Sequence, residues 1–192
     1  MRVTKITLGP MDNNVYVVVC PRTNSSVVVD ASYDAARIAE ATAGTAVQSI
    51  LLTHGDADHI DALQDLRARL GVPVGVHAAD ADRLPAPADF EIADGQEIAV
   101  GDIRLRAIHT PGHTPGSLCF YAADTLLAGD TLFPGGPGAT RGDKAKFAQI
   151  IDGIRAKLFA LPDDTAVRPG HGADTTIGAE KPHLQEWIDR GY

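Results

Sequence analysis

Residues 51–63 read LLTHGDADHIDAL. An apolar run stops at Thr53, and the next six positions hold His54, Asp56, Asp58 and His59. The run Val47–Thr53 reads as a strand. Asp58–Leu70 reads as a helix, with Leu63, Leu66 and Leu70 on one face and Gly71 as its stop. A short connection between a strand end and a helix start projects several side chains into one spot. Imidazoles and carboxylates crowded there are nitrogen and oxygen donors for a metal ion.

Three later stretches repeat the arrangement. HTPGHTPGS sets His113 in a Pro/Gly-punctuated turn before the strand SLCFY, LLAGDTLF sets Asp130 at the end of another apolar strand, and VRPGHGADTT sets His171 in a turn after a third. Glycines beside each let backbone approach closely. Taken singly, each residue has an ordinary alternative: a turn histidine is usually solvated, and Asp58 is a respectable helix N-cap. Taken together, His54, Asp56, Asp58, His59, His113, Asp130 and His171 supply enough donors for two metal ions. His77, His109 and His183 have no ligand-like neighbours and read as structural or exposed. The Gly-rich stretch PGGPGATRGD lacks the GK[ST] ending of a phosphate-binding loop, so positions 134–142 read as a long connection.

A chain of 192 residues buries a sizeable core without staples, and we expect one domain over 1–192. Its net charge of −8 comes with no basic stripe, which argues against nucleic acid as the main partner. No apolar run approaches the ~20 residues that cross a bilayer, and the start lacks the apolar stretch of a secretory signal. Cys20 and Cys119 sit in strand-like surroundings and read as buried thiols rather than a disulfide, which fits a reducing cytoplasm. The expected partner is a small-molecule substrate; the oligomeric state is left open.

The first half reads as strands at RVTKITL, NVYVVVC and SVVVDAS, a helix at Asp34–Ala43, a strand at Val74–His77 and a small helix at Ala79–Leu84. The second half reads as strands at Glu97–Val100, Ile103–Ile108, Ser117–Tyr121, Thr125–Ala128 and Thr165–Arg168. Helices are expected at Asp143–Phe159 and Ala179–Arg190. Trp187 and Ile188 of the last helix are expected against the chain's own core in preference to a partner. Strands interleaved with a few helices point to two packed sheets with helices outside them, an α/β (α+β) class.

THGDADH, TPGHTPGS, LLAGDTLFPGG and PGHGADTTIGAEKP, in that order, resemble the metallo-β-lactamase superfamily, and within it the glyoxalase II-like hydrolases. Asp30 of VVVDAS fits the family's early strand pair. The resemblance implies a four-layer αββα sandwich with metals at one edge. It further implies that His54, Asp56 and His113 hold one ion, that Asp58, His59 and His171 hold a second, and that Asp130 bridges them. One or two divalent ions are expected, zinc first, iron or manganese as alternatives. The implied reaction is hydrolysis of a thioester or related ester by a metal-bound hydroxide, with Asp58 orienting the nucleophile. Other members of the family offer alternatives. One is a persulfide dioxygenase with a single iron on His54, His113 and Asp130. A β-lactamase and a non-catalytic metal-binding module are the others.

Two departures stand out. The family pattern THxHxDH has His where this chain has Asp56. Two divalent ions against three carboxylates leave a single positive charge, which a hydroxide cancels. A centre so neutral acidifies its water less and suits harder ions such as iron or manganese. Second, the loop after Asp130 carries Ala139 where relatives often carry a basic residue, with Arg141 two positions on. Relatives that use glutathione also have a further C-terminal helical segment, so another thiol, or a compact ester or lactone, is open.

Overall fold

The computed structural model describes residues 1–191. The first sheet comprises β1 (Arg2–Leu8), β2 (Asn13–Val19), β3 (Ser25–Val29), β4 (Ala46–Leu51), β5 (Val74–Val76) and β6 (Phe90–Glu91), in that spatial order. Its first three strands are antiparallel and its last four run parallel. The second contains β7 (Glu97–Val100), β8 (Ile103–His109), β9 (Leu118–Ala122), β10 (Thr125–Gly129), β13 (Ala166–Pro169) and β14 (Thr175–Thr176), ordered β14-β13-β10-β9-β8-β7. A two-stranded ribbon, β11 (Leu132–Phe133) with β12 (Gly136–Pro137), stands between β10 and β13 in sequence.

Alternation along the strands explains the layering. Tyr16 and Val18 of β2, with Val27 and Val29 of β3, meet Leu105, Leu118, Phe120 and Leu127 of the second sheet. The intervening residues Val15, Val17, Val19 and Val28 face the other way, onto Ile38 of α1 (Ala35–Ala41) and Leu63 and Leu66 of α3 (Leu63–Leu70). All of β2 is buried because both its faces are covered. On the far side, Ile108, Cys119, Leu126 and Ala128 pack under α4 (Lys144–Gly153), the π-helical turn 154–158 that prolongs it, and Trp187 of α6 (Leu184–Arg190). Helix, sheet, sheet, helix is the αββα sandwich expected from the sequence. Trp187 lies in the chain's own core, and Cys20 and Cys119 are free and buried. Among the described residues, no helix is long and apolar enough to cross a membrane.

Several elements depart from the sequence reading. The helix expected at Asp58–Leu70 is two helices, α2 (Ala57–Ile60) and α3. The Asp58 carbonyl accepts from Asn13 Nδ2, the His59 carbonyl accepts from Ala31 N–H, and Ala62 N–H donates to Ala31. These partners from distant loops replace the i→i+4 bonds that would carry the helix on. The small helix at 79–84 is a 3₁₀ turn, Ala78–Arg83, capped by the His77 side chain. The C-terminal helix is broken into α5 (Ile177–Glu180), a 3₁₀ turn containing Pro182, and α6. The expected long loop 134–142 includes β12, and the two-residue strands β6 and β14 are too short for a periodic signal.

Candidate metal centre

The seven residues singled out by sequence lie at one edge of the sandwich. His54 and Asp56 follow β4, and Asp58 and His59 sit on α2. His113 occupies the β8–β9 turn, Asp130 follows β10 and His171 follows β13. Three overlapping groups have donor atoms within 4.8 Å of one another: His54, Asp56 and His113; His54, His59 and Asp130; Asp58, His59 and His171. Asp130 is central. Its Oδ1 is 3.5 Å from His59 Nε2, and its Oδ2 is 3.4 Å from His171 Nε2 and 3.5 Å from His113 Nε2. His59 and His171 bring their Nε2 atoms to 3.1 Å.

Each imidazole turns the same nitrogen inward because the other is engaged. His54 Nδ1 lies 2.9 Å from Thr53 Oγ1, whose hydroxyl donates to Asp30. His59 Nδ1 lies 3.1 Å from Asp30 Oδ2, His113 Nδ1 2.8 Å from the Ala139 carbonyl and His171 Nδ1 2.9 Å from the Met11 carbonyl. A proton on each Nδ1 satisfies these oxygens and leaves the Nε2 lone pairs facing the centre. His54 Nε2, His113 Nε2 and Asp130 Oδ1 are buried without a well-formed hydrogen bond in the protein; His113 Nε2 meets only other candidate ligands, Asp56 Oδ2 at 3.2 Å and Asp130 Oδ2 at 3.5 Å. Buried polar atoms are rarely left so, and three converging on one spot with an all-nitrogen and oxygen donor set fit a divalent cation.

Without a cation the charges balance among themselves. Burial opposes charge on His59, but Asp30, Asp130 and Asp58 together hold it up at about 9. His54, deeper among imidazoles, is lowered to about 4, by burial first and His59 second. Burial disfavours the Asp56 and Asp130 carboxylates, yet the surrounding histidines, with Arg83 beside Asp56, hold both well below the usual range.

The structure adds residues that the sequence did not reveal. Asp80, fully buried, accepts from Gly55 N–H, Thr114 Oγ1 and Gly116 N–H, tying the loop of His54 and Asp56 to the turn of His113. Asn13 Nδ2 donates to Asp58 Oδ2 at 2.9 Å, and Asn14 Nδ2 and Tyr16 Oη donate to the Pro169 carbonyl beside the His171 turn. Asn-Asn opening an otherwise apolar strand was the visible trace of this. Gly170 is sterically required, since a Cβ there would stand 2.2 Å from Asp130 Oδ1 and 2.7 Å from His59 Cε1. Arg83 and Arg141 both pair with Asp56, which corrects the charge count made from sequence: two guanidinium groups offset the extra carboxylate. The Gly-rich loop carrying Ala139 and Arg141 is therefore part of the centre. His77 and His109 stack on each other at 3.9 Å, away from the cluster, and His183 is exposed beside Glu186.

Residues 8–171 match the model of the metallo-β-lactamase superfamily, and the chain belongs to that superfamily of metallo-hydrolases. It is 37% identical to a hydroxyacylglutathione hydrolase of Rhodospirillum rubrum over 83% of this chain and 62% of that one. Its structure is similar to BLEG-1, a B3 metallo-β-lactamase, with TM-score 0.86 and 29% identity over 95% of this chain and 98% of that one. It is equally similar to ETHE1 from Myxococcus xanthus, with TM-score 0.86 and 28% identity over 96% of this chain and 83% of that one.

Proposed function

We propose that this chain is a metal-dependent hydrolase of a thioester or related ester. The observation that carries the reading is the convergence of His54 Nε2, His113 Nε2 and Asp130 Oδ1 with the inward faces of His59, His171 and Asp58. In this reading His54, Asp56 and His113 hold one ion, Asp58, His59 and His171 a second, and Asp130 lies between them. Zinc suits the donor set first, with iron or manganese as alternatives. Bound ions acidify water and polarise a carbonyl.

The chain's own groups supply the positioning. Asp58, 24% exposed and steadied by Asn13, accepts a hydrogen bond from the attacking water and aims its oxygen at the acyl carbon. The new C–O bond forms first, giving a tetrahedral acyl carbon; the C–S or C–O bond to the leaving group then breaks, and the water proton leaves with the thiol or alcohol. Asp30 and Thr53 keep the rings of His59 and His54 in register throughout. The similarity to a hydroxyacylglutathione hydrolase supports the thioester class.

A one-iron dioxygenase reading needs only His54, His113 and Asp130. It gives no role to Asp58, His59 and His171, whose orientation Asn13, Asp30 and Met11 fix as firmly. The test is a panel of acyl thioesters, esters and lactones with zinc-, iron- and manganese-loaded protein. Turnover of a panel member is expected. Silence across the panel, with oxygen uptake on a persulfide, would replace the hydrolase reading with the dioxygenase.

A further inference from the structure

Both oxygens of Asp56 are engaged by cations. Oδ1 accepts from Arg83 Nη2, and Oδ2 accepts from Arg141 Nη2 at 3.0 Å and lies 3.2 Å from His113 Nε2. The other carboxylates of the centre differ. Asp58 Oδ2 accepts from the neutral amide of Asn13, and among the described residues neither Asp58 nor Asp130 pairs with an arginine or lysine. Lys5 stands near the His171 turn, but it is engaged by the Gly172 carbonyl and Asp174; the arginines that pair with a carboxylate of the centre are both on the side of His54 and His113.

Arg83 is built into that place. Its side chain lies across Gly55, where a Cβ would stand 2.7 Å from Arg83 Cβ and 3.1 Å from its Cδ. Arg141 comes from the loop whose Ala139 carbonyl orients His113, and it takes a positive φ of 55° there. An ion held by Asp56 shares that carboxylate with two guanidinium groups and sits beside their charge. Asp56 is buried but Arg83 and Arg141 are 37% and 73% exposed, so solvent screens part of their repulsion, and competition for the Asp56 oxygens carries the rest of the effect. An ion held by Asp58, His59 and His171 meets no such neighbour.

We propose that Arg83 and Arg141 make the two metal positions unequal: the position at Asp58, His59 and His171 fills first, and the position at His54, Asp56 and His113 fills second and weakly. The arginines act through Asp56, competing with the second ion for its two oxygens. The inference rests on the ligand assignment of the proposed function but not on the reaction, so a metal titration and the substrate panel can fail separately.

The experiment is titration of metal-free protein with Zn²⁺ by calorimetry and with Co²⁺ by absorption, for wild type, Arg83→Gln, Arg141→Gln and the double variant. In wild type the second ion is expected to bind at least about tenfold more weakly than the first, about 1.4 kcal/mol. In the double variant the second step tightens by about tenfold or more while the first barely moves. Arg141, 73% exposed, can be replaced without disturbing the core, so Arg141→Gln alone should give part of the gain even where Arg83→Gln perturbs packing over Gly55. His171→Ala should weaken the first step. Two equal steps in wild type would overturn the proposal. So would a second step that weakens or vanishes in the arginine variants, because the arginines would then be holding Asp56 ready for the ion. If wild type takes one ion only, a second step must appear in the double variant; its failure to appear also overturns the proposal.

Discussion

The inward nitrogens of His54, His59, His113 and His171 are set by oxygens behind them, and Asp30 is the most exposed to test. It accepts from Thr53 N–H and Thr53 Oγ1 and faces His59 Nδ1. In the metal-free protein His59 is raised to about 9, so the folded chain holds that proton more tightly than the unfolded chain does. The stability this gives is fully present below about 6.5 and is lost as pH rises toward about 9. His113 and His171 are also raised, by Asp56 and Asp130 against burial, and act in the same direction. His54 is lowered to about 4 and costs stability only as pH falls below its ordinary value, outside that window. Cys20, lowered to about 7 by hydrogen bonds from Thr23 and nearby backbone, works the other way, but three raised histidines against one thiol leave the Tm of metal-free protein expected to fall between pH 6.5 and 9, with Asp30→Asn flattening the fall. A Tm that holds or rises across the window would contradict this account. The candidate donors were legible in sequence because each follows an apolar strand and keeps a glycine nearby. Arg83 was not, since nothing in ADADRLP reports that residue 83 lies over Gly55.

Among the elements, the 3₁₀ turn Ala78–Arg83 carries more of the centre than its length suggests. It presents Asp80 to two loops from different sheets and Arg83 to Asp56. Asp80→Ala leaves the buried N–H groups of Gly55 and Gly116 without an acceptor, which is expected to cost about 3 kcal/mol or more in urea unfolding. It is also expected to weaken zinc binding by roughly 10–100-fold, as loss of groups that orient ligands generally does. Asp80→Asn keeps one acceptor and should fall between. Stability of Asp80→Ala within about 0.5 kcal/mol of wild type would show that the two loops hold their places without it. The same scale explains the broken helix. Periodicity in DHIDALQDLRARL predicts one continuous helix, and it is interrupted by partners from residues 13 and 31 that no local pattern announces.

For the whole molecule, the strands were readable because β-branched runs between turn residues leave little else to form, and their alternation assigns each face to a layer. Pairing across sheets was not readable from composition; it came with the ordered motifs. The centre draws His54, Asp56, Asp58 and His59 from the first sheet's side and His113, Asp130 and His171 from the second's. In the proposed centre an ion would join the two halves and so favour the folded chain over the unfolded one. Saturation at about 100 times Kd contributes about 2.7 kcal/mol, which corresponds to a rise in Tm of about 5–10 °C for a chain of this size. A chelator should reverse it. An unchanged Tm on zinc addition would mean that zinc binds the folded chain no better than the unfolded one.

His59 and His171, whose Nε2 atoms meet at 3.1 Å, are 112 positions apart in the chain. At about 5–20 residues per second, synthesis of that span takes roughly 6–20 s. For the later part of that interval, once the segment has left the ribosome, the nascent chain displays His54, Asp56, Asp58 and His59 to the surrounding medium, while the imidazole that completes the cluster has not been made. In the proposed centre, ion capture in the native arrangement would therefore belong to the chain after translation of β13, and whatever metal the earlier segment meets before then would meet an unfinished cage.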